Sequence, residues 1–190
     1  LGDGRVVARR YRVDRWQRYT VLVNEEVGPG QDVSARITSS SPVVVERPMY
    51  FLYQNMWDGG HNVMGAHQPE TEWYFAEGCT RPGFNQWLCI QNPNNEVASV
   101  QVGYMTEDGG FISKEYGVAA HSRYTVNVNN DVPRFHDVST RVVSDRPVVV
   151  ERPMYFMYGD GINEGSNAMG VNKPCSTWYL RSEERRVGKE

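Results

Sequence analysis

Glu46-Arg47 recurs as Glu151-Arg152, and each pair stands inside an identical decapeptide, Pro42–Phe51 and Pro147–Phe156. A recurring carboxylate is the first candidate for acid–base chemistry. That chemistry needs a second titratable group at working distance, and the decapeptide supplies none. On a regular strand Val43, Val45, Arg47, Met49 and Phe51 share one face, and Val44, Glu46, Pro48 and Tyr50 the other. Glu46 and Arg47 therefore cannot pair with each other. A charge leaving water has to find a partner, so partners on neighbouring strands are expected, with Arg36 and Glu25 as candidates. Glu46, Arg47, Pro48 and Tyr50, with Glu151, Arg152, Pro153 and Tyr155, read as a repeated structural motif and not as a catalytic set. Pro48 removes a ladder donor, so the strand should become an edge or a bulge there.

The other reactive types are scattered. His61 follows Asp58-Gly59-Gly60, but the corresponding stretch of the second copy is Asn163-Glu164-Gly165-Ser166, so the repeat has no need of that imidazole. His67, His121 and His136 are likewise unrepeated. The three cysteines, Cys79, Cys89 and Cys175, lack a CxxC or CxxH spacing, which argues against a metal knuckle. Cys79 and Cys89 are either disulfide partners across neighbouring strands or two buried thiols. Calcium at the Asn- and Asp-rich turns lacks the Asp-x-Asp-x-Asp run of a dedicated loop. No nucleophile elbow, phosphate loop or dinucleotide fingerprint occurs, and no cofactor or metal is expected. Trp16, Trp57 and Trp87 are the candidate ligand-stacking aromatics, Trp57 and Trp87 foremost. Trp57 aligns with Ile162 and Trp16 with His121, so neither belongs to every unit. Trp87 lies on an expected strand, where packing competes with binding.

The elements that position these residues follow from the repeat. Residues 1–75 align with 106–180 at a constant offset of 105, and 34 of the 75 positions are identical. The matches cluster: Arg18–Val21 with Arg123–Val126, Asp32–Ser34 with Asp137–Ser139, Asn62 and Met64-Gly65 with Asn167 and Met169-Gly170, Trp73-Tyr74 with Trp178-Tyr179. A fixed period is read before anything else. In the nearly whole second copy, seven short strands are expected: 73–76, 86–91, 98–105, 111–118, 123–128, 138–144 and 148–156. Asn92-Pro93 and Glu107-Asp108-Gly109-Gly110 supply turn chemistry between them. No helical period appears. The expected class is all-β: tandem immunoglobulin-like β-sandwich modules with a period of 105 residues and a truncated first copy, a closed barrel being the alternative. Residues 1–71 read as the C-terminal part of a first module, although a cyclic repeat allows another cut, in which residues 1–105 close one sandwich. Residues 72–180 read as the second, with a Gly- and Asn-rich connection over 159–177 matching 54–72. Residues 181–190 read as a translated sequencing adapter and are set aside.

Without that tail, 16 basic and 20 acidic side chains leave a net charge of −4, the wrong sign for a phosphate-binding stripe. No apolar run is long enough to span a membrane as a helix. Leu1 falls inside a repeat, so a longer parent protein is expected.

Trp73–Gly78, Trp87–Pro93, Arg123–Val128 and Val148–Phe156, in that order, resemble a family of bacterial tandem modules found in large exported, cell-surface or envelope-associated proteins, with function largely unassigned. The resemblance covers residues 1–180. It implies a β-sandwich and an extracellular or cell-surface location, and it implies no reaction. Cys89 and Cys175 depart from the family pattern. The expected role is a non-catalytic spacer or adhesive scaffold whose partners are neighbouring repeats and a wall glycan or protein, without nucleic acid or membrane insertion. The alternative is a carbohydrate-binding module appended to a secreted hydrolase.

Overall fold

Strand formation begins only at residue 46, although the sequence pattern for strands starts much earlier. The computed structural model describes residues 1–55, 57–133, 135–158 and 162–180. Among them, residues 1–45 hold a single short helix, α1 (Val23–Val27). Then come β1 (Glu46–Tyr53), β2 (Trp57–Met64), β3 (Glu70–Phe75), β4 (Phe84–Asn92), β5 (Ala98–Thr106), β6 (Phe111–Val118) and β7 (Ser122–Asn127). They are followed by α2 (Val128–Asp131), β8 (Val138–Tyr158) and β9 (Ile162–Met169). All strand pairings are antiparallel. The architecture is all-β, as the turn-punctuated sequence predicts. Residues 181–190, read as adapter, lie outside the described residues, as do residues 159–161 of the second Gly- and Asn-rich connection.

β8 is the axis of the fold. Its first half pairs with β5 on one side and β3 on the other; its second half pairs with β4 and β9. β6 flanks β5, and β7 flanks β4. Two blades, β6-β5-β8-β3 and β7-β4-β8-β9, thus share one strand. The expected break between strands 138–144 and 148–156 is not a turn. Ser144-Asp145-Arg146-Pro147 hands the chain from one blade to the other. Pro147 has no N–H to give a ladder. The Asp145 carboxylate accepts the Ser99 amide at 2.8 Å, and the Pro147 carbonyl accepts the Asn94 amide group at 2.8 Å.

The core takes side chains from both blades. Trp73, Phe75, Val100, Val102, Tyr104, Val118 and Val142 come from one, and Leu88, Ile90, Val126 and Val150 from the other. Inward positions alternate along β4 and β5, as period two requires. Asn92 is fully buried and satisfied. Its amide group donates to the carbonyls of Glu96, Val118 and Ala119, and its carbonyl accepts from Asn94. Tyr104 and Tyr116 both donate to the Asp131 carboxylate, tying α2 to β5 and β6.

The Gly- and Asn-rich connections contain strands, which corrects their reading as loops. β2 returns antiparallel on β1, with Glu46 opposite Met64 and Tyr53 opposite Trp57. β9 returns on β8 in the same register, with Glu151 opposite Met169, each partner 105 residues on. The glycines that hid these strands mark close approach. A side chain on Gly165 would overlap the Phe51 ring, and one on Gly59 would press on Glu164.

Candidate functional site: the stacked hairpins

Among the described residues β1 and β2 pair with no other strand; they form a separate two-stranded ribbon. That ribbon lies over the outer face of the β4–β8–β9 region. The strand alternation assigns the faces as the sequence predicts. Arg47, Phe51 and Tyr53 point toward the second hairpin, and Glu46, Pro48 and Tyr50 point to solvent.

The contacts between the hairpins are specific. The Arg47 guanidinium donates to both Glu151 carboxylate oxygens, at 2.7 and 3.3 Å. The Tyr155 ring takes Phe51 edge-on at 4.9 Å and 82°, and Tyr53 stacked at 4.4 Å and 23°. Burial pushes the Tyr155 phenol up from its ordinary range. Trp57 packs on Tyr53 at 5.4 Å and is only 6% exposed. His61 sits by Phe51 at 5.7 Å. Burial first, then the Arg47 charge, depresses its imidazole below the ordinary value.

Within each hairpin an asparagine steadies the repeated glutamate. Asn62 donates to Glu46 at 2.9 Å, and Asn167 to Glu151 at 2.8 Å. The expected partners Arg36 and Glu25 play neither role. Arg47 reaches the other hairpin instead, because β1 leaves its own segment behind. Arg152, Arg47's counterpart, lies on the face of β8 away from the ribbon. It is 5% exposed and pairs with Glu77 at 2.7 Å.

Pro153 acts as predicted in one respect. The β4–β8 ladder runs from Phe84 opposite Phe156 to Gln86 opposite Met154, and from Cys89 opposite Glu151 to Gln91 opposite Val149. It is open between, at Arg152-Pro153, without a change of register. The ladder to β9 continues through Pro153. Pro48 lies on β1, whose far edge is unpaired.

The cysteines do not bond to one another; Cys79, Cys89 and Cys175 are all free. Cys89 lies mid-strand beneath the stacked ribbon and accepts from Arg123 at 2.8 Å, and Arg123 also pairs with Asp32 at 3.0 Å. Burial pushes the Cys89 thiol up, away from thiolate character. Cys79 borders a cleft of about 400 Å³ with Glu77, Arg81, Glu107 and Asp137. Its thiol is also raised, mainly by burial. The charged groups there are matched in pairs, Arg81 with Asp137 and His136 with Glu107. Cys89 has a cation beside it but is buried, and the charges around Cys79 are already matched, so neither combines the electropositive and accessible setting of a nucleophile.

Of the predicted motif residues, the structure brings Arg47, Glu151 and Tyr155 together and leaves Glu46 and Tyr50 on the opposite, open face. Trp57 presents no free ring face. Trp87 is half-buried on β4. Sequence reasoning missed Asn62, Asn167, Phe51 and Tyr53 as contact residues. All four are among the positions shared between the copies, and that was the available signal.

No protein-family model and no curated protein sequence matches the chain. Among solved structures, the chain is similar to the Thermotoga maritima protein 1070, at 19% identity and a TM-score of 0.52. The match covers 55% of this chain and 96% of that one. This likeness concerns the fold alone. A second similarity, to the Anabaena sensory rhodopsin transducer, has 25% identity and a TM-score of 0.41, over 46% of this chain and 99% of that one.

Proposed function

We propose that the chain is a non-catalytic scaffold built of tandem immunoglobulin-like β-sandwich modules in series, each closed by a hairpin that joins it to the next, in an exported or cell-surface protein. The observation that carries this reading is the stack itself. Two hairpins with identical motifs and identical register lie on one another, locked by Arg47–Glu151 and by Phe51 and Tyr53 on Tyr155. Supporting it, a solved chain of similar fold is matched almost whole by little more than half of this one, a share close to the 105-residue period. The carbohydrate-binding alternative loses Trp57, which is buried against Tyr53.

A scaffold has to bear load. Pulled by its ends in a force spectrometer, the full chain should give one peak. That peak should release β3 through β9, about 100 residues or roughly 350 Å of contour. Extension without a peak would remove the scaffold reading.

A further inference from the structure

The two hairpins do not use the same face. The ribbon β1–β2 docks through Arg47, Met49, Phe51 and Tyr53. It is received by Glu151 and Tyr155, on the other side of the strand equivalent to its own. The contact is therefore heterologous, so each partner uses a different face and keeps the complementary one free. It leaves one face unused: the outer side of β1–β2. That side carries Glu46, Pro48, Tyr50, Gly60 and Asn62, which repeat the receiving residues Glu151, Pro153, Tyr155, Gly165 and Asn167 letter for letter. The preparation is the same as well. Asn62 orients Glu46 as Asn167 orients Glu151. The open face is apolar around its carboxylate: Tyr50 is 86% exposed, Leu52 62% and Met64 56%. Apolar exposure of this kind, rimmed by an oriented charge, marks an interaction surface.

We infer that the outer face of β1–β2 is a docking site for a further β-hairpin of the same pattern, donated by another chain or repeat. The donor presents an arginine, and then large apolar and aromatic residues at every second position. Its arginine takes the Glu46 carboxylate in a bidentate pair, as Arg47 takes Glu151, and its two rings bracket Tyr50, as Phe51 and Tyr53 bracket Tyr155. The site continues the existing stack by one layer. A second wild-type copy is a poor donor, because its own Arg47 face is already occupied by its own β8–β9. This inference borrows from the scaffold reading only in taking a repeat as the source of the donor.

The test uses the whole chain. In an E46Q/Y50A/E151Q/Y155A variant both the receiving face and its own outer face are spoiled, so its β1–β2 ribbon is released and offers a free Arg47 face without accepting one itself. Mixed with wild-type chain, it should form a one-to-one complex by sedimentation velocity. An E46Q/Y50A acceptor should bind at least tenfold more weakly. A hairpin peptide of residues 46–64, closed by a disulfide between added terminal cysteines, should give the same ranking of the two acceptors in a fluorescence titration. It covers the case of a variant donor that does not fold. Absence of a complex with both donors would overturn the inference. So would binding that ignores E46Q/Y50A, or self-association of the wild-type chain through Tyr50. A complex formed by a chain that fails the force experiment would remove the scaffold and leave the docking site standing.

Discussion

Residues 106–150 and 1–45 carry the same pattern and have different fates. In the later stretch Val118, Val126, Val128, Val142 and Val148 are at most 3% exposed. Their counterparts Val13, Val21, Val23, Ile37 and Val43 are 38–59% exposed. β6, β7 and the first half of β8 form in the later stretch, and no strand forms in the earlier one. The short helix alone survives in both, as α1 and α2, because its hydrogen bonds are local. A strand's bonds are not. β6 needs β5, β7 needs β4, and β8 needs β3, β4 and β5. Among the described residues the strands of those types, β3, β4 and β5, are already paired with β8, β7 and β6 and are not shared with residues 1–45. β-propensity describes fit to a pleated, half-buried surface; where that surface is missing, the same residues stay out of any sheet and wet. The β1–β2 hairpin is the exception, and it shows why. It pairs with itself and borrows an apolar cover from the second hairpin.

The contrast can be broken most sharply at the repeated tryptophan. Trp73 is 4% exposed, and its indole donates to the Val148 carbonyl at 2.9 Å. Trp73→Ala should cost about 3–5 kcal/mol in urea unfolding. Trp178→Ala, at a residue 55% exposed, should stay within about 0.5 kcal/mol. Equal costs would mean that both copies fold.

The repeated arginine sharpens it next. Glu77→Gln strands a buried Arg152 and should cost roughly 3 kcal/mol. Glu151→Gln strands Arg47, whose side chain is 45% exposed, and should cost less than about 1 kcal/mol. The reverse order would mean that the charge left behind does not set the cost. Among the aliphatic positions, Val142→Ala should lose about 2 kcal/mol and Ile37→Ala almost nothing, measured in the same denaturant series.

The smallest effect is a pH dependence of the hairpin contact. His61 is held below its ordinary imidazole value, first by burial and then by Arg47, with Glu151 opposing. The docked state therefore binds fewer protons than the undocked one. Docking is complete above the ordinary imidazole range and weakens as pH falls through it. Trp57 fluorescence should report loosening on acidification, and His61→Ser, the residue of the second copy, should flatten the profile. Tightening on acidification would reverse the assigned sign.

Much of the fold was legible in the sequence because alternation and turn chemistry are local. The six strands over 73–144 lie close to their predicted places. Two features were hidden. The run into Pro147 looked like a strand end, yet a proline that leaves one ladder can hand the strand to another. Gly59 and Gly165 read as loop residues, and their meaning is tertiary: they let one hairpin lie against the next. The stacked site was half visible for the same reason. The face assignment of Glu46, Arg47, Tyr50 and Phe51 followed from period two. The partner of Arg47 lies 104 residues away, across a contact that no local pattern encodes.

Arg18-Tyr19-Thr20-Val21 and Arg123-Tyr124-Thr125-Val126 are the same tetrapeptide, so amide hydrogen exchange compares them with their chemistry held almost constant. The paired amides of Tyr124–Val126 should be protected at least about 10³-fold over those of Tyr19–Val21, which should exchange as an open chain does. Equal protection in the two tetrapeptides would contradict the claim that this sequence becomes sheet only where its partner strands are present.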